Sequence, residues 1–547
     1  MSRKRIAAGA GLTLGAAFAL SAPAHAAADI VVDTTADTAP DSLPNNGCEA
    51  TGGDECTLRE ATEKANADAG ADVIVFASGL TGSIDLDDTL GQLSLTEGVQ
   101  ISHAGDPSAL AINGQHTDTN AGVRLFDVNA TAASQTVSIE GLTLKQGYAT
   151  YGGAVYVHNP NPATLNLTND IVTDNATIGG GGAVYSYTQV NVQSSTVSDN
   201  ENHSGGFVAG AISAKFGISI HDSTFSGNYS NTLGGAIVAS GDVDIARSTF
   251  DQNSSDSNGG AIELASDTPG TAEITDSTFT GNFGNAGGAI HAVSDSPPLT
   301  ISRSTLSGNK SAEGGGAIAD YDNPLTVQNT TISGNQASYN GFNSGGALYL
   351  SIGTGDTVSV AGSTVANNDG YLTGGIMRVD GGGAPDTQID NTIVAGNTKR
   401  TTNTAANADL NGLFAGSFDL IQDATGSVVT GGNNILGQDP LLGPLQNNGG
   451  PTTTRKPGPG SPVIDKGNAF GLTTDQRGAG FARTFDVGSL SNSGDGTDIG
   501  AIELQASDFP SSSTPPTEAP RRNKCKKKHK KHSASAAKKK CKKKKKR

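Results

Sequence analysis

The chain repeats a short unit, and that repetition restricts its fold more than any other property. A Gly-Gly-Ala-hydrophobic signature begins at Gly152, Gly181, Gly234, Gly259, Gly287, Gly315 and Gly345, with variants at Ala209 and Gly374, so successive starts lie 25 to 30 residues apart. A second signature keeps the same beat: Ser195-Thr196-Val197, Ser223-Thr224-Phe225, Ser248-Thr249-Phe250, Ser277-Thr278-Phe279, Ser304-Thr305-Leu306, Thr330-Thr331-Ile332 and Ser363-Thr364-Val365. Four residues after each Thr stands an asparagine: Asn200, Asn228, Asn253, Asn282, Asn309, Asn335 and Asn368. Units this small cannot bury an apolar face alone and must stack on their neighbours.

The period inside each unit selects the stack. Before each Ser-Thr pair sits an alternation of two apolar residues, as in Val190/Val192, Ile218/Ile220, Val243/Ile245 and Leu299/Ile301. Alternation at two is the strand pattern, and no unit contains a helix-length 3.6 pattern. Two or three short strands in 25 to 30 residues make one turn of an all-β, single-stranded parallel β-helix solenoid. Leucine-rich repeats need a Leu-dominated frame, and propeller blades need about 40 residues or more. The 74 glycines, 5% aromatic content and absence of Trp suit tight bends and small stacked side chains better than a globular core.

Stacking then assigns roles to the repeated residues. Paired glycines permit tight bends, including at positive φ. The repeated Asn tolerates the left-handed conformation and can bond backbone across a bend, so it is expected to form an internal polar ladder. Phe225, Phe250 and Phe279 are expected to stack inside. Just before the Ser-Thr pair, Asp222, Arg247, Asp276 and Arg303 alternate in sign through four coils, which would set opposite charges about 4.8 Å apart on the surface.

The two ends differ from the repeats. Arg3, Lys4 and Arg5 precede an apolar run from Ile6 to Leu20 and small residues at Ala24 and Ala26, so residues 1–26 read as a signal peptide and the protein as exported, extracellular or surface-associated. Residues 27–71 form an N-terminal cap. Within it Thr57 and Glu60 have capping-box spacing and Leu58, Ala61 and Ala65 share a face, which predicts a helix over 57–68 covering the open first coil. Export lets Cys48 and Cys56 stay as a disulfide, which contributes roughly 2–3 kcal/mol by loop closure. The β-helix spans 72–408, regular from about 137, and terminal coils with a closing segment occupy 409–506.

Residues 507–520 read as a Ser/Pro/Thr linker, and 521–547 carry 17 basic residues and no acid, together with Cys525 and Cys541. Such a segment cannot fold by itself. It is expected to seek anionic cell-wall polymer or lipid headgroups, more weakly as salt rises. Between residues 6 and 520 the balance reverses, with 16 basic against 53 acidic side chains, so nucleic acid is not expected as the physiological partner. No later run approaches the ~20 apolar residues of a membrane span.

A catalytic cluster should break the repeat, and the position just after Gly-Gly-Ala-hydrophobic does vary. Glu263 and His291 fall there on adjacent coils with Asp320 beyond, a set of titratable groups for acid–base work or simply a variable solvated face. Tyr148, Tyr151, Tyr156, Tyr185 and Tyr187 concentrate the aromatic residues; they suit either a plain tyrosine ladder or stacking against sugar rings. No cofactor is implied. The acidic loop Asp85-Leu86-Asp87-Asp88 offers oxygen ligands for calcium, but at no spacing that compels it.

Cys56-Thr57-Leu58-Arg59-Glu60-Ala61 resembles the N-terminal motif named for Cys-Ser-Leu-Arg-Glu-Ala, with Thr57 in place of Ser. The Gly-Gly-Ala-Ile and Ser-Thr-Phe-Ser-Gly-Asn coils resemble the right-handed parallel β-helix repeats of pectate-lyase-like, polymorphic outer-membrane and adhesin-like proteins. Segment 439–504 is similar to the choice-of-anchor Q domain of bacterial surface β-helix proteins, although this chain ends in Lys-rich sequence rather than a wall-sorting motif. The resemblance implies a cell-surface structural or adhesion rod, and the charge of the tail is expected to retain it. The resemblance also admits a secreted polysaccharide lyase, with clustered Asp for calcium and a basic residue as base, or a glycoside hydrolase with paired carboxylates.

Overall fold

In a computed structural model the described residues run from 29 to 509, leaving out 41–47, 49–54, 69, 118–120, 131–134, 159–163, 204–205, 207, 339–343, 381–386, 401–408, 426 and 489. The expected signal segment, Cys525, Cys541 and the basic tail lie outside them. Contacts divide the chain into a unit ending at Leu504 and a second beginning at Gln505, whose described part contains the short 3-10 turn Ala506–Asp508.

The first unit is a parallel β-solenoid. One regular turn runs Val243–Ala246, Thr249–Asp251, Ser254–Ser255 and Ile262–Leu264. Each strand pairs in parallel with its counterpart one coil on: Val243 with Ala272, Phe250 with Phe279, Ser254 with Phe283, Ile262 with Ile290. Among the described residues this builds four long sheets of 15, 14, 11 and 12 strands, here called I to IV in that order around the coil. The regular coil therefore has four strands where the sequence predicts two or three. The extra one is the strand of sheet III, which in several coils is only two residues long, as at Tyr229–Ser230, and too short to display an alternation.

Inward-facing apolar residues from sheets I, II and IV form one continuous core, including Ile220, Phe225, Ile237 and Ile245, all fully buried. Phe225, Phe250 and Phe279 stack with ring centroids 5.1 and 4.7 Å apart. At the bend from sheet II to sheet III the asparagines form a continuous ladder. Asn228 donates its amide to Asn253 Oδ1 at 2.8 Å and to the Val197 carbonyl at 2.9 Å, and its own Oδ1 accepts from Asn200. The ladder starts one coil earlier than the repeat suggests, at Asn175, whose Oδ1 accepts from Gly147, and it ends where Asn397 donates to Asp409. A carboxylate suits that last rung because only acceptance is required of it. Burial pushes Asp409 up to about 6.

A second ladder lies one bend earlier, in the Ser of the Ser-Thr pairs. Each backbone N–H donates to the hydroxyl one coil on, from Asp170 to Ser195, Ser195 to Ser223, and onward until Thr392 donates to Asp419. Each hydroxyl donates in turn to a nearby carbonyl, as Ser223 does to His221 at 2.7 Å. Buried polar groups are worth stacking only when satisfied in this way.

The left-handed residues differ from expectation. The ladder asparagines do not adopt that conformation; the residue just before them does, as in Asp199 (φ 54°), Gly227 (φ 65°) and Gln252 (φ 54°). The bend from sheet I to sheet II has its own left-handed position, occupied by Asp222, Arg247, Asp276 and Arg303 at φ 52°, 51°, 50° and 47°. Their charges close in pairs, Arg247 on Asp222 at 2.6 and 2.7 Å and Arg303 on Asp276 at 2.8 and 2.7 Å.

The N-terminal end is covered. Helix Leu58–Ala67 is capped by Thr57 and Glu60 in a reciprocal capping box, with Leu58, Ala61 and Ala65 buried. Arg59 pins it to the first turns through Asp37 at 2.8 and 2.7 Å and the Gly91 carbonyl at 2.8 Å. Just before the helix, Cys48 and Cys56 are joined by a disulfide. Segment 439–504, expected to close the other end, instead leaves the stack after strand Ile435–Leu436 and lies along the outer side of sheet II. Gln476 reaches between Ser304, Thr305 and Thr331, Arg455 bonds Ser333 at 2.7 Å, and Ala501 bonds Thr364 at 3.0 Å. Within the segment, Asp475 holds Arg477, while Glu503 accepts from the N–H groups of Phe485 and Asp498. Its hairpin Leu442–Gln446 with Thr454–Pro457 is antiparallel.

Candidate functional site

The variable position falls on the outer face of sheet IV because strand alternation sends its neighbours, such as Ile262 and Leu264, into the core. Register makes these positions one row: Asp127, Tyr156, Tyr185, Ser213, Val238, Glu263, His291, Ala319, Tyr349 and Met377 face one another coil by coil. Chemistry-bearing groups gather at two places along it.

The first is a tyrosine wall. Tyr151 enters from the end of a sheet III strand and lies 5.9 Å from Tyr156 and 5.0 Å from Tyr185; Tyr185 lies 5.3 Å from Tyr187. Arg124 sits over the Tyr156 ring at 4.9 Å and His158 tilts against the same ring at 3.9 Å. Asp127 binds both, accepting from Arg124 and from His158 at 2.8 Å. Tyr151 is 39% exposed. Burial raises the Tyr156 and Tyr185 phenols above their ordinary range, with a hydrogen bond to Tyr187 adding to the effect at Tyr185. Tyr148 does not join the wall; it stacks on His116 at 4.3 Å. Beside that pair Asp174, Asp199 and Glu201 help line a cleft of about 200 Å³.

The second place is the Glu263–His291 pair, joined at 2.8 Å between Oε2 and Nδ1. It is sealed: Glu263 is 0% and His291 4% exposed. One coil on, the backbone packs closely against the same row: a Cβ added to Gly314 would lie 3.3 Å from that of Ala319 and 3.5 Å from that of Ala286. Burial raises the Glu263 carboxyl, with the adjacent His291 pulling it back, and its Oε1 has no hydrogen-bond partner. Tyr321 meets His291 edge-on at 5.2 Å, with Tyr349 a further 5.3 Å along.

Asp320 does not complete this group. It lies opposite Ala292 and Leu350, which are core residues, so its strand position turns inward, one residue out of phase with Glu263 and His291. There Asn323 donates to it at 3.3 Å and burial pushes it up to about 8. In the acidic loop, Asp85 accepts from Ser83 and Asn113, and Asp87 from Thr89. Among the described residues no three His, Cys, Asp or Glu side chains group as metal ligands, and no helix is long and apolar enough to cross a membrane.

Sequence reasoning missed Arg124, Asp127 and His158. The coil of Arg124 and Asp127 precedes the first Gly-Gly-Ala signature, so nothing in the repeat set their register against the tyrosines, and His158, two residues after Tyr156, gains its role only through Asp127.

The fold and this seam define the class, a parallel β-solenoid with a polar and aromatic lateral face. Residues 222–240 and 247–264 match the model of the Chlamydia polymorphic membrane protein repeat, which is what these two coils are similar to. No curated protein and no solved structure matches the chain.

Proposed function

We propose that this is an exported cell-surface protein whose solenoid serves as a structural or adhesion scaffold, held by its basic tail to anionic wall polymer or lipid headgroups. The observation that carries the reading is a contrast in access: the acid–base pair Glu263–His291 is shut away from any large substrate, whereas the tyrosine wall presents Tyr151 to solvent, with Tyr156 and Tyr187 half-buried and Tyr185 buried. The partial likeness to a polymorphic membrane protein repeat supports a surface role. So do the resemblances of Cys56–Ala61 to the Cys-Ser-Leu-Arg-Glu-Ala motif and of 439–504 to a choice-of-anchor Q domain.

Deleting 521–547 tests the retention. The protein is expected to move from the cell-associated fraction to the medium, and high salt is expected to release the intact chain similarly. Unchanged cell association in both cases contradicts the tail's role.

A secreted polysaccharide lyase or hydrolase is the second reading. The 2.8 Å Glu263–His291 hydrogen bond, with the Glu263 carboxyl raised, favours it, and the burial of both groups counts against it. Its test is cleavage of acidic and neutral polysaccharides by the purified protein, with and without calcium.

A further inference from the structure

We propose that the wall formed by Tyr151, Tyr156, Tyr185 and Tyr187 is a binding subsite for the rings of a neutral polysaccharide. This deepens the surface-binding reading above and rests on it.

Ring spacing decides what the wall can hold. Its centroids lie 5.0 to 5.9 Å apart, so each ring touches the next. An aromatic cage for a quaternary ammonium needs an empty centre between rings, and here the centre is filled by ring on ring. Such packing leaves ring surface accessible at Tyr151, which is exposed, and in part at Tyr156 and Tyr187, with Tyr185 buried among them. A pyranose offers a flat set of C–H groups that fits an electron-rich ring face, and hydroxyls at its rim. Asp127 stands at that rim with its Oδ1 held by Arg124 and His158, which fixes the carboxylate in place for a sugar hydroxyl.

Charge excludes two other flat or ringed ligands. Nucleic-acid bases arrive on a phosphate backbone, and acidic glycans carry carboxylates. Both meet a body with 53 acidic against 16 basic side chains, and Arg124, the one Arg or Lys at the wall among the described residues, is already engaged by Asp127, Gln92 and the Tyr151 carbonyl. A neutral polymer avoids that repulsion, and it also has no attraction for the basic tail.

The wall can be observed directly. The chain has no Trp and 10 Tyr, so perturbation of tyrosine absorbance or emission reports on a region holding four of them. The full exported chain is titrated with cellohexaose, xylohexaose and mannohexaose, and separately with polygalacturonate at high salt to silence the tail. At least one neutral oligosaccharide is expected to shift the tyrosine signal and bind. Tyr151→Ala and Tyr187→Ala are each expected to weaken that binding about 2- to 10-fold, and together by about 10-fold or more. Tyr229→Ala, on sheet III, should leave it unchanged, and thermal unfolding of each variant confirms that it is folded. No response to any neutral probe overturns the proposal. So does binding retained in the double variant, or polygalacturonate binding at high salt that the double variant loses. None of these results alters tail-dependent retention on cells, which is measured separately.

Discussion

Tyr156 and Tyr185 of the wall and the Glu263–His291 pair occupy the same strand position on the same sheet, three coils or more apart, but only the wall has an exposed member, Tyr151. At the wall, Tyr151 projects from the end of a sheet III strand and stays 39% exposed, although Tyr185 is buried; at the pair, both Glu263 and His291 are buried. A solenoid thus makes residue identity alone a poor guide to function. The same outward-facing position is half-buried at Tyr156 and fully buried at Glu263, although the strands around it pair in the same register.

The largest expected effect comes from breaking the sealed member. Glu263→Ala leaves a buried imidazole without its partner and should lower stability by about 3–5 kcal/mol, read by denaturant unfolding. Tyr151→Ala should change stability by under about 1 kcal/mol, because much of that ring is already in water. Equal losses at the two sites would erase the distinction.

Asp320 sharpens the comparison from the core side. Burial raises its carboxyl from 3.8 to about 8 in the folded protein. The folded state therefore holds a proton that the unfolded state gives up, so this group's stabilising contribution is full below pH 3.8 and falls as pH rises towards 8. The slope is up to about 1.4 kcal/mol per pH unit. Asp320→Asn should flatten that part of the stability profile between pH 4 and 8; thermal unfolding across this range checks it. Glu503, pushed up to about 9 mainly by burial, adds a slope of the same sign that Asp320→Asn leaves in place.

The smallest effect is expected on the exposed bend. Arg247→Asn loses the ion pair with Asp222, worth roughly 0.2–1 kcal/mol, but places at φ 51° a residue that tolerates left-handed backbone better. The net change in unfolding free energy should stay within about 0.5 kcal/mol, read by denaturant unfolding. A loss several times larger would mean that the charge pairing, and not the backbone, sets this corner.

Much of the fold was legible because the repeat exposes it. The Ser-Thr and Gly-Gly-Ala spacings marked strands of sheets II and IV, the apolar alternation marked sheet I, and Thr57 with Glu60 marked the helix. Sheet III was not legible, since strands such as Ser254–Ser255 carry no alternation to read. Nor was the second polar ladder, because serine before a strand is also ordinary turn chemistry. For the candidate site, the sequence placed Tyr156, Tyr185, Glu263 and His291 on one row. It misjoined Asp320, whose one-residue offset reverses its face, and Tyr148, which pairs with His116. The flank taken by 439–504 depends on contacts such as Gln476 with Thr331, 145 residues apart, which no local pattern encodes.

Binding and chain length, followed together in one incubation of the purified protein with neutral and acidic polysaccharides with and without calcium, test the account most directly. It predicts a polymer retained at its original length, with retention lost in the Tyr151/Tyr187 double alanine variant. Progressive shortening of the polymer that stops in Glu263→Gln would contradict it.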